Sequence, residues 1–113
     1  MRPIGDELSR YDLRRAKQDL RGIVTWISER SRRGAESWLT AFEELVDRLS
    51  ETAHTFPIAE ENDEFTIELQ QALFKTRRGR MYRAVFTIVG NEARILRIRG
   101  PGQAALTEDD VDA

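Results

Sequence analysis

Two apolar stripes with helical spacing lie in the first half of this chain, and only a few residues separate them. In the first stripe, apolar residues recur three or four positions apart: Leu13, Ala16, Leu20, Ile23, Val24 and Ile27. The second stripe has the same spacing: Ala35, Trp38, Leu39, Phe42, Leu45, Val46, Leu49 and Ala53. Two amphipathic helices joined by so short a connection pack side by side in opposite directions. The sequence therefore predicts an antiparallel helical hairpin, in which Asp12 and Ser31 are placed as N-caps.

The second half of the chain carries strand signals. Residues 67–74, 81–89 and 93–99 are rich in β-branched and aromatic side chains, and Gly90-Asn91 is typical of a tight hairpin turn. A weaker strand pattern covers residues 6–11. These elements predict an α+β fold of order β-α-α-β-β-β, with the helical hairpin packed on a small antiparallel sheet. We expect residues 1–100 to form one domain and residues 101–113 to be a flexible acidic tail.

Composition excludes several classes of function. The 113-residue chain contains no cysteine and one histidine, so a disulfide framework, zinc ligation and Cys/His nucleophilic catalysis are ruled out. His54 follows the second helix directly, and we expect it to be structural. The acidic segment 60–64 lacks the spacing of a calcium loop and is predicted to be solvent-facing. We expect no cofactor, no metal and no membrane contact. We also expect a cytoplasmic location, because the N-terminus lacks a signal sequence.

Charge is strongly segregated along the chain despite a net charge of −2. Residues 75–99 carry eight basic side chains against one acid, a net charge of +7, whereas residues 34–54 carry a net charge of −4. Four of the basic residues fall in the turn between two predicted strands: Lys75, Arg77, Arg78 and Arg80. Guanidinium groups bind anions in bidentate geometry, so this turn is a candidate surface for a target or a nucleic acid. The alternative is a solvated hairpin end.

Three further arginines are predicted to share the sheet face that points away from the helices. If Tyr82, Phe86, Leu96 and Ile98 face the helices, strand alternation places the arginines on the opposite face: Arg83, Arg97 and Arg99. Like charges on neighbouring strands repel unless an anion lies between them. Because few acids are expected nearby, we favour a binding surface over internal pairing with Glu68, Glu92 or the acidic tail. Trp26 lies slightly off the first stripe, where it is either partly buried or part of a partner surface.

The chain resembles the RelE/ParE superfamily of toxins from bacterial type II toxin–antitoxin systems, also called plasmid stabilisation proteins. The similar segments run in order through most of the chain: 16–20, 26–31, Ala35, Trp38, Phe56-Pro57, 68–70, 82–86 and 95–99. The resemblance implies the fold predicted above. It also implies a toxin that inhibits growth and has a cognate antitoxin with which it forms a hetero-oligomer.

The superfamily has two branches with different activities. RelE-like members cut messenger RNA on the ribosome, and Arg83 matches the arginine of their Tyr-Arg strand motif, so a catalytic role falls to Arg83 if the chain is a nuclease. ParE-like members poison DNA gyrase. Here Gly100-Pro101-Gly102-Gln103 stands where the nucleases place further basic residues, and the terminal aromatic is missing. These departures favour the ParE-like branch.

The resemblance further implies that an antitoxin segment docks on the helical hairpin and the sheet, near Trp26, Arg83 and Arg97. Three hypotheses follow from the sequence. The first is a ParE-like toxin that inhibits DNA gyrase by binding, and the second is a ribosome-dependent endoribonuclease. The third is a non-toxic interaction module that keeps the fold.

Overall fold

A computed structural model describes residues 13–103, 105–107 and 110 of the chain. Helix α1 (Leu13–Ser28) and helix α2 (Arg32–Thr52) are followed by short 3-10 turns at Ala53–Thr55 and Asn62–Glu64. Strands β1 (Gln70–Phe74), β2 (Tyr82–Val89) and β3 (Glu92–Arg99) complete the described elements. The predicted α+β class is confirmed. The predicted first strand at residues 6–11 and the predicted cap Asp12 lie outside the described residues.

The two helices form the predicted hairpin, with only Glu29, Arg30 and Ser31 between them. Ser31 is the N-cap of α2, since its side-chain oxygen accepts a hydrogen bond of 2.9 Å from the Gly34 amide. This bond satisfies one of the donors left open at a helix start. The apolar stripe of α2 faces inward and its buried members are Ala35, Trp38, Leu45 and Leu49. Neither helix of the described residues combines the length and the hydropathy that a bilayer-spanning segment needs.

The three strands form an antiparallel sheet in the order β1-β2-β3. Gly90 joins β2 to β3 with a φ of +63°, a conformation that glycine adopts without steric strain. The pairing of β2 with β3 shifts register after Val85, because Val85 is opposite Arg97 whereas Phe86 is opposite Ile95. Leu96 is therefore an extra residue in β3, and the strand bends there as strands do at a β-bulge.

Each face of the sheet carries its own buried cluster. The helix face packs against α1 and α2 through Ala72, Phe74, Ala84, Phe86, Ala93, Ile95 and Ile98. The opposite face, here called the outer face, carries a smaller cluster: Ala59, Leu69, Val85, Leu96 and Leu106. The prediction that Leu96 faces the helices is wrong, because the bulge turns it to the outer face and Ile95 takes its place.

The segment between α2 and β1 covers part of the outer face. The Gln71 amide donates to the Pro57 carbonyl and the Ala59 amide to the Leu69 carbonyl, so residues 57–59 run along the edge of the sheet. Glu61 follows this stretch and is 3% exposed. The prediction that the whole acidic segment is solvent-facing is therefore wrong at Glu61. Leu106 belongs to residues 101–113, which the sequence predicts to be a flexible tail. In the structure its side chain is buried in the outer-face cluster.

Candidate functional site

A groove with a volume of about 880 Å³ opens between α1, the start of α2 and the β1–β2 turn. Its lining includes Trp26, Trp38, Arg78, Arg80, Tyr82 and Pro101. We call it the Trp26 groove. Gly100 lets the chain after β3 pass close to the aromatic wall, because a Cβ atom added there would lie 3.1 Å from the Tyr82 ring. The groove thus has an apolar aromatic floor and a basic rim, a combination typical of binding sites for amphipathic ligands.

The Trp26 indole is the most exposed aromatic anchor of this groove. Its side chain is 54% exposed, and the Arg30 guanidinium lies 3.8 Å above its ring. Arg30 also donates a hydrogen bond of 2.7 Å to the Trp26 carbonyl one helical turn earlier. This stacking is a cation–π contact that orients the indole while leaving half of its surface uncovered. Trp38, in contrast, is buried at 2% exposure against Phe42, Phe74 and Tyr82, as predicted for a core residue.

The structure divides the predicted basic residues between two surfaces. Arg78 and Arg80 line the Trp26 groove, and Lys75 and Arg77 are exposed in the same turn. The other three lie on the outer face, where the strand pairing places them on neighbouring positions of β2 and β3: Arg83, Arg97 and Arg99. Of the residues predicted to bind the antitoxin, Trp26 therefore lies at the groove beside Arg78 and Arg80. The other two, Arg83 and Arg97, lie on the outer face, away from the groove.

Arg83 is held by Glu61 in a largely buried ion pair. Its two terminal nitrogens donate to the two carboxylate oxygens of Glu61, one of them over 2.8 Å, and to the Gln71 side-chain oxygen over 3.1 Å. The same carboxylate accepts a hydrogen bond of 2.8 Å from the Leu106 amide. Burial raises the pKa of the Glu61 carboxyl, but the bonds from Arg83 and Leu106 outweigh it and the pKa is lowered. Hydrogen bonding to Glu61 raises the pKa of Arg83 further.

Arg97 has a second carboxylate partner, Asp19 of α1. The Nε and Nη2 atoms of Arg97 donate to the two Asp19 oxygens over 2.7 and 2.9 Å, a bidentate pair. Asp19 also accepts a hydrogen bond of 2.9 Å from the Ile98 amide, at the edge of β3 that faces away from β2. The hydrogen bonds from Arg97 to Asp19 raise the pKa of Arg97. Asp19 therefore joins α1 to β3 and satisfies a backbone donor of β3 that does not pair with β2.

The premise that few acids lie near the outer-face arginines is wrong. Glu61 and Asp19 supply most of the missing charge, and neither was among the predicted site residues. Asp110 of the acidic tail adds a third carboxylate, 3.6 Å from Arg97. The sequence does carry a signal for Asp19. It lies three residues after Ala16 and four before Ile23, so an acid shares the side of α1 that carries the apolar stripe. Glu61 gives no such signal, since nothing distinguishes it from the other acids of the segment 60–64.

Replacing Asp19 by asparagine should lower the free energy of unfolding by about 1.5–3 kcal/mol. The amide keeps the shape of the side chain but loses the charge, so it cannot accept the bidentate bond from Arg97 and the bond from Ile98 with the same strength. Urea denaturation followed by circular dichroism measures the change. Gln18→Ala is the matched control on the exposed side of α1, and a loss as large as that of Asp19→Asn would contradict the assignment.

Within the described residues there is no cluster of three or more histidine, aspartate or glutamate side chains suited to hold a metal ion. The family described as the ParE toxin of the type II toxin–antitoxin system parDE matches residues 13–104 of the chain. Comparisons with curated proteins and with solved structures gave no significant match. The match spans both helices, all three strands and the groove. The chain therefore belongs to the ParE toxin family of type II toxin–antitoxin systems.

Proposed function

We propose that this toxin arrests growth by binding and inhibiting a target such as DNA gyrase, and that a cognate antitoxin neutralises it by covering the same surface. Family membership supports the toxin class and, with it, an antitoxin partner. The observation that carries the choice of binding over RNA cleavage is the buried pair between Arg83 and Glu61.

Cleavage of a phosphodiester needs a general acid, a general base and stabilisation of the developing charge. Arg83 is the residue that matches the nuclease motif, and Glu61 occupies its guanidinium. A guanidinium is a poor proton donor in any protein, and this contact raises the pKa of Arg83 further. A phosphate that approached Arg83 would have to displace a carboxylate that is itself 3% exposed. These features support inhibition by binding.

The contact surface that we propose for the target and the antitoxin is the Trp26 groove with its basic rim. Trp26 supplies an exposed aromatic anchor, and tryptophan is enriched among residues that dominate interface energies. Arg78 and Arg80 line the groove, and Lys75 and Arg77 extend the charge beside it. Arg83, Arg97 and Arg99 remain a second proposed contact region on the outer face, in which Arg83 and Arg97 would contact a partner while they stay paired with Glu61 and Asp19.

The test of the proposed function is induced expression with three measurements in one culture: growth, plasmid supercoiling and transcript integrity. We expect growth arrest, loss of gyrase-dependent supercoiling and intact transcripts. Arrest with codon-localised cleavage of transcripts would instead establish the endoribonuclease. Normal growth at every expression level would identify a binding module that keeps the fold without toxicity.

Arg80→Glu should weaken inhibition of purified gyrase by about tenfold or more, because it reverses a charge at the rim of the proposed surface. A supercoiling assay over a range of toxin concentrations gives the half-inhibitory value. Arg48→Glu is the matched control, since it reverses the charge of another exposed arginine, on α2 and outside the groove lining. Equal inhibition by both variants would show that the basic rim does not contact the target. The proposed function would then depend on other residues.

A further inference from the structure

The basic charge beside the Trp26 groove extends beyond the β1–β2 turn. The connection between α1 and α2 borders the same groove, since Ile27 and Gly34 belong to its lining. Residues 29–36 and 75–80 together carry seven basic and two acidic side chains, a net charge of +5. The basic ones are all exposed, and we call them the basic cluster: Arg30, Arg32, Arg33, Lys75, Arg77, Arg78 and Arg80. The groove is therefore bordered by positive charge on a chain whose net charge is −2.

The basic cluster differs from the outer-face arginines in its lack of ion pairs. Arg83 and Arg97 are each paired with a carboxylate. Among the residues that the structure describes, no aspartate or glutamate lies within ion-pair distance of any member of the cluster. Like charges gathered in this way repel one another, and an anion bound between them removes the repulsion. The cluster is therefore suited to an anionic ligand.

Two arginines of the cluster occupy positions that are unfavourable for the helix that carries them. Arg32 and Arg33 are the first two residues of α2, and its first turn contains no acid. The N-terminus of a helix carries a partial positive charge, so acidic residues stabilise it and basic residues do not. A bound phosphate would replace this repulsion by attraction, because helix N-termini and guanidinium groups both bind phosphate.

The Trp26 ring gives the same groove a flat surface on which a planar group can stack. Arg30, one helical turn after Trp26, covers the ring from one side. Gly22, one turn before it, has no side chain, and a Cβ atom added there would lie in open space. Residues four apart in a helix lie on the same face, so the space above Gly22 adjoins the uncovered part of the indole. Nucleic-acid bases stack on exposed aromatic rings of this kind.

We propose that the Trp26 groove and the basic cluster bind single-stranded DNA, with a base stacked on Trp26 and phosphates held by the arginines. Proteins that bind single strands without sequence preference combine a positively charged groove with exposed aromatic rings in the same way. A duplex stacks its bases internally and offers the groove only its phosphates. The inference rests on the proposed function in one respect, because we name DNA on the ground that gyrase, the proposed target, acts on DNA.

Direct binding is measured by anisotropy with the purified chain, without gyrase, and a fluorescent oligothymidylate of about 20 nucleotides. We expect saturable binding that weakens roughly 50-fold between about 50 and 200 mM salt for four contacted phosphates, because counterions are released from the strand. A duplex of the same length should bind at least about tenfold more weakly, since its bases cannot stack on Trp26. Absence of binding at the lower salt concentration, or equal binding of the duplex, would overturn the proposal.

Arg33→Glu separates DNA binding from stability. The substitution places an acid in the first turn of α2, so the midpoint of thermal unfolding should be unchanged or higher. The affinity for the single strand should nevertheless fall at least about tenfold, because a phosphate contact becomes a repulsion. Arg48→Glu is the matched control, an exposed arginine of the same helix outside the groove lining, and should keep the affinity of the unmodified chain. Unchanged affinity of Arg33→Glu, or an equal loss in both variants, would contradict the assigned site.

Gly22→Leu tests the stacking surface without a change of charge. Leucine favours a helix more than glycine does, and the space at Gly22 is open, so the fold should be retained. The new side chain occupies the space beside Trp26, and we expect at least about a tenfold loss of affinity for the single strand. Gln18→Leu is the matched control, because Gln18 is exposed on the same helix and outside the groove lining. Binding as tight as that of the control would exclude stacking at Trp26.

Competition identifies the ligand. Unlabelled oligothymidylate should displace the probe at least as well as oligouridylate, and at least about tenfold better than polyglutamate of equal charge. RNA that binds at least about tenfold tighter, or polyglutamate that competes equally, would overturn the proposal in favour of RNA or of an acidic protein segment.

The supercoiling assay fails independently of this binding experiment. A chain that inhibits gyrase without binding the oligonucleotide would refute only the DNA site. A chain that binds the oligonucleotide but leaves supercoiling intact would refute only the inhibition of gyrase.

Discussion

Glu61→Ala should lower the free energy of unfolding by about 3–5 kcal/mol, a large share of the stability of a domain of this size. The substitution deprives the largely buried Arg83 guanidinium of its buried counter-charge, with the exposed Glu60 carboxylate still 3.8 Å away. It also removes the acceptor of the Leu106 amide. Urea denaturation at neutral pH, followed by circular dichroism, measures the loss. The expected value assumes an unchanged slope of the free energy against urea concentration.

Glu60→Ala is the control for this prediction. Glu60 is the preceding residue and its carboxylate lies 3.8 Å from the same guanidinium, but its side chain is 69% exposed. Exposed ion pairs contribute about 1 kcal/mol or less. If the two substitutions cost the same, the buried pair has no special role. The double variant Glu61→Met with Arg83→Met should recover most of the loss, because it removes both charges together.

The Glu61 pair also fixes the sign of a pH dependence. The pKa of the Glu61 carboxyl in the folded chain lies below its ordinary value of 4.5. A carboxyl of this kind stabilises the fold fully above the ordinary pKa, and the contribution disappears as pH falls through the lowered pKa. The stability difference between the unmodified chain and Glu61→Gln should therefore be constant near neutral pH and shrink in acid. A difference that grows as pH falls would contradict the pairing.

Trp38→Ala should cost about 3–5 kcal/mol, because it removes the largest side chain at the junction of the helices and the sheet. The Trp38 ring is stacked on Phe42 with an interplanar angle of 4° and contacts Phe74 and Tyr82, each at a centroid distance of 5.5 Å. Urea denaturation again gives the free energy of unfolding.

Trp38→Phe separates packing from hydrogen bonding at this position. The buried indole nitrogen has no hydrogen-bond partner within the described residues. Losing it should therefore carry no polar cost, and we expect a total loss of about 1–2 kcal/mol, from packing alone. A loss as large as that of the alanine variant would show that the indole nitrogen matters and would point to a partner of the N–H group.

The sequence predicted the elements whose signals are local. The hairpin follows from two stripes of period 3.6 and the Ser31 cap, and β2 and β3 follow from their alternation and the Gly90 turn. The observed strands differ from the predicted ones at few positions, chiefly at β1, which begins at Gln70. Most of the motifs that resemble the superfamily lie on these same elements, which explains why the family could be identified from them.

Which acid pairs with which arginine could not be predicted in this way, although the place of Asp19 within the apolar stripe of α1 marks it as a candidate. Arg97 and Asp19 are 78 positions apart, and Arg83 and Glu61 are 22 apart, so no local pattern joins them. A single extra residue in β3 also exchanged the faces of Ile95 and Leu96 relative to strict alternation. One inserted residue in a strand reverses the side-chain directions beyond it, and nothing in the sequence of β3 marks the position.

For this protein the sequence by itself determined the helical hairpin, the strands of the meander and the toxin family, because periodicity, caps and turns act between near neighbours. Only the tertiary structure decided which charges are available to a partner. It buried Glu61 against Arg83, joined Asp19 to Arg97, and brought Trp26 together with Arg78 and Arg80 at one groove. The physical reason is that electrostatic and packing energies depend on distance in space, and distant positions in the chain become neighbours only when the helices pack on the sheet.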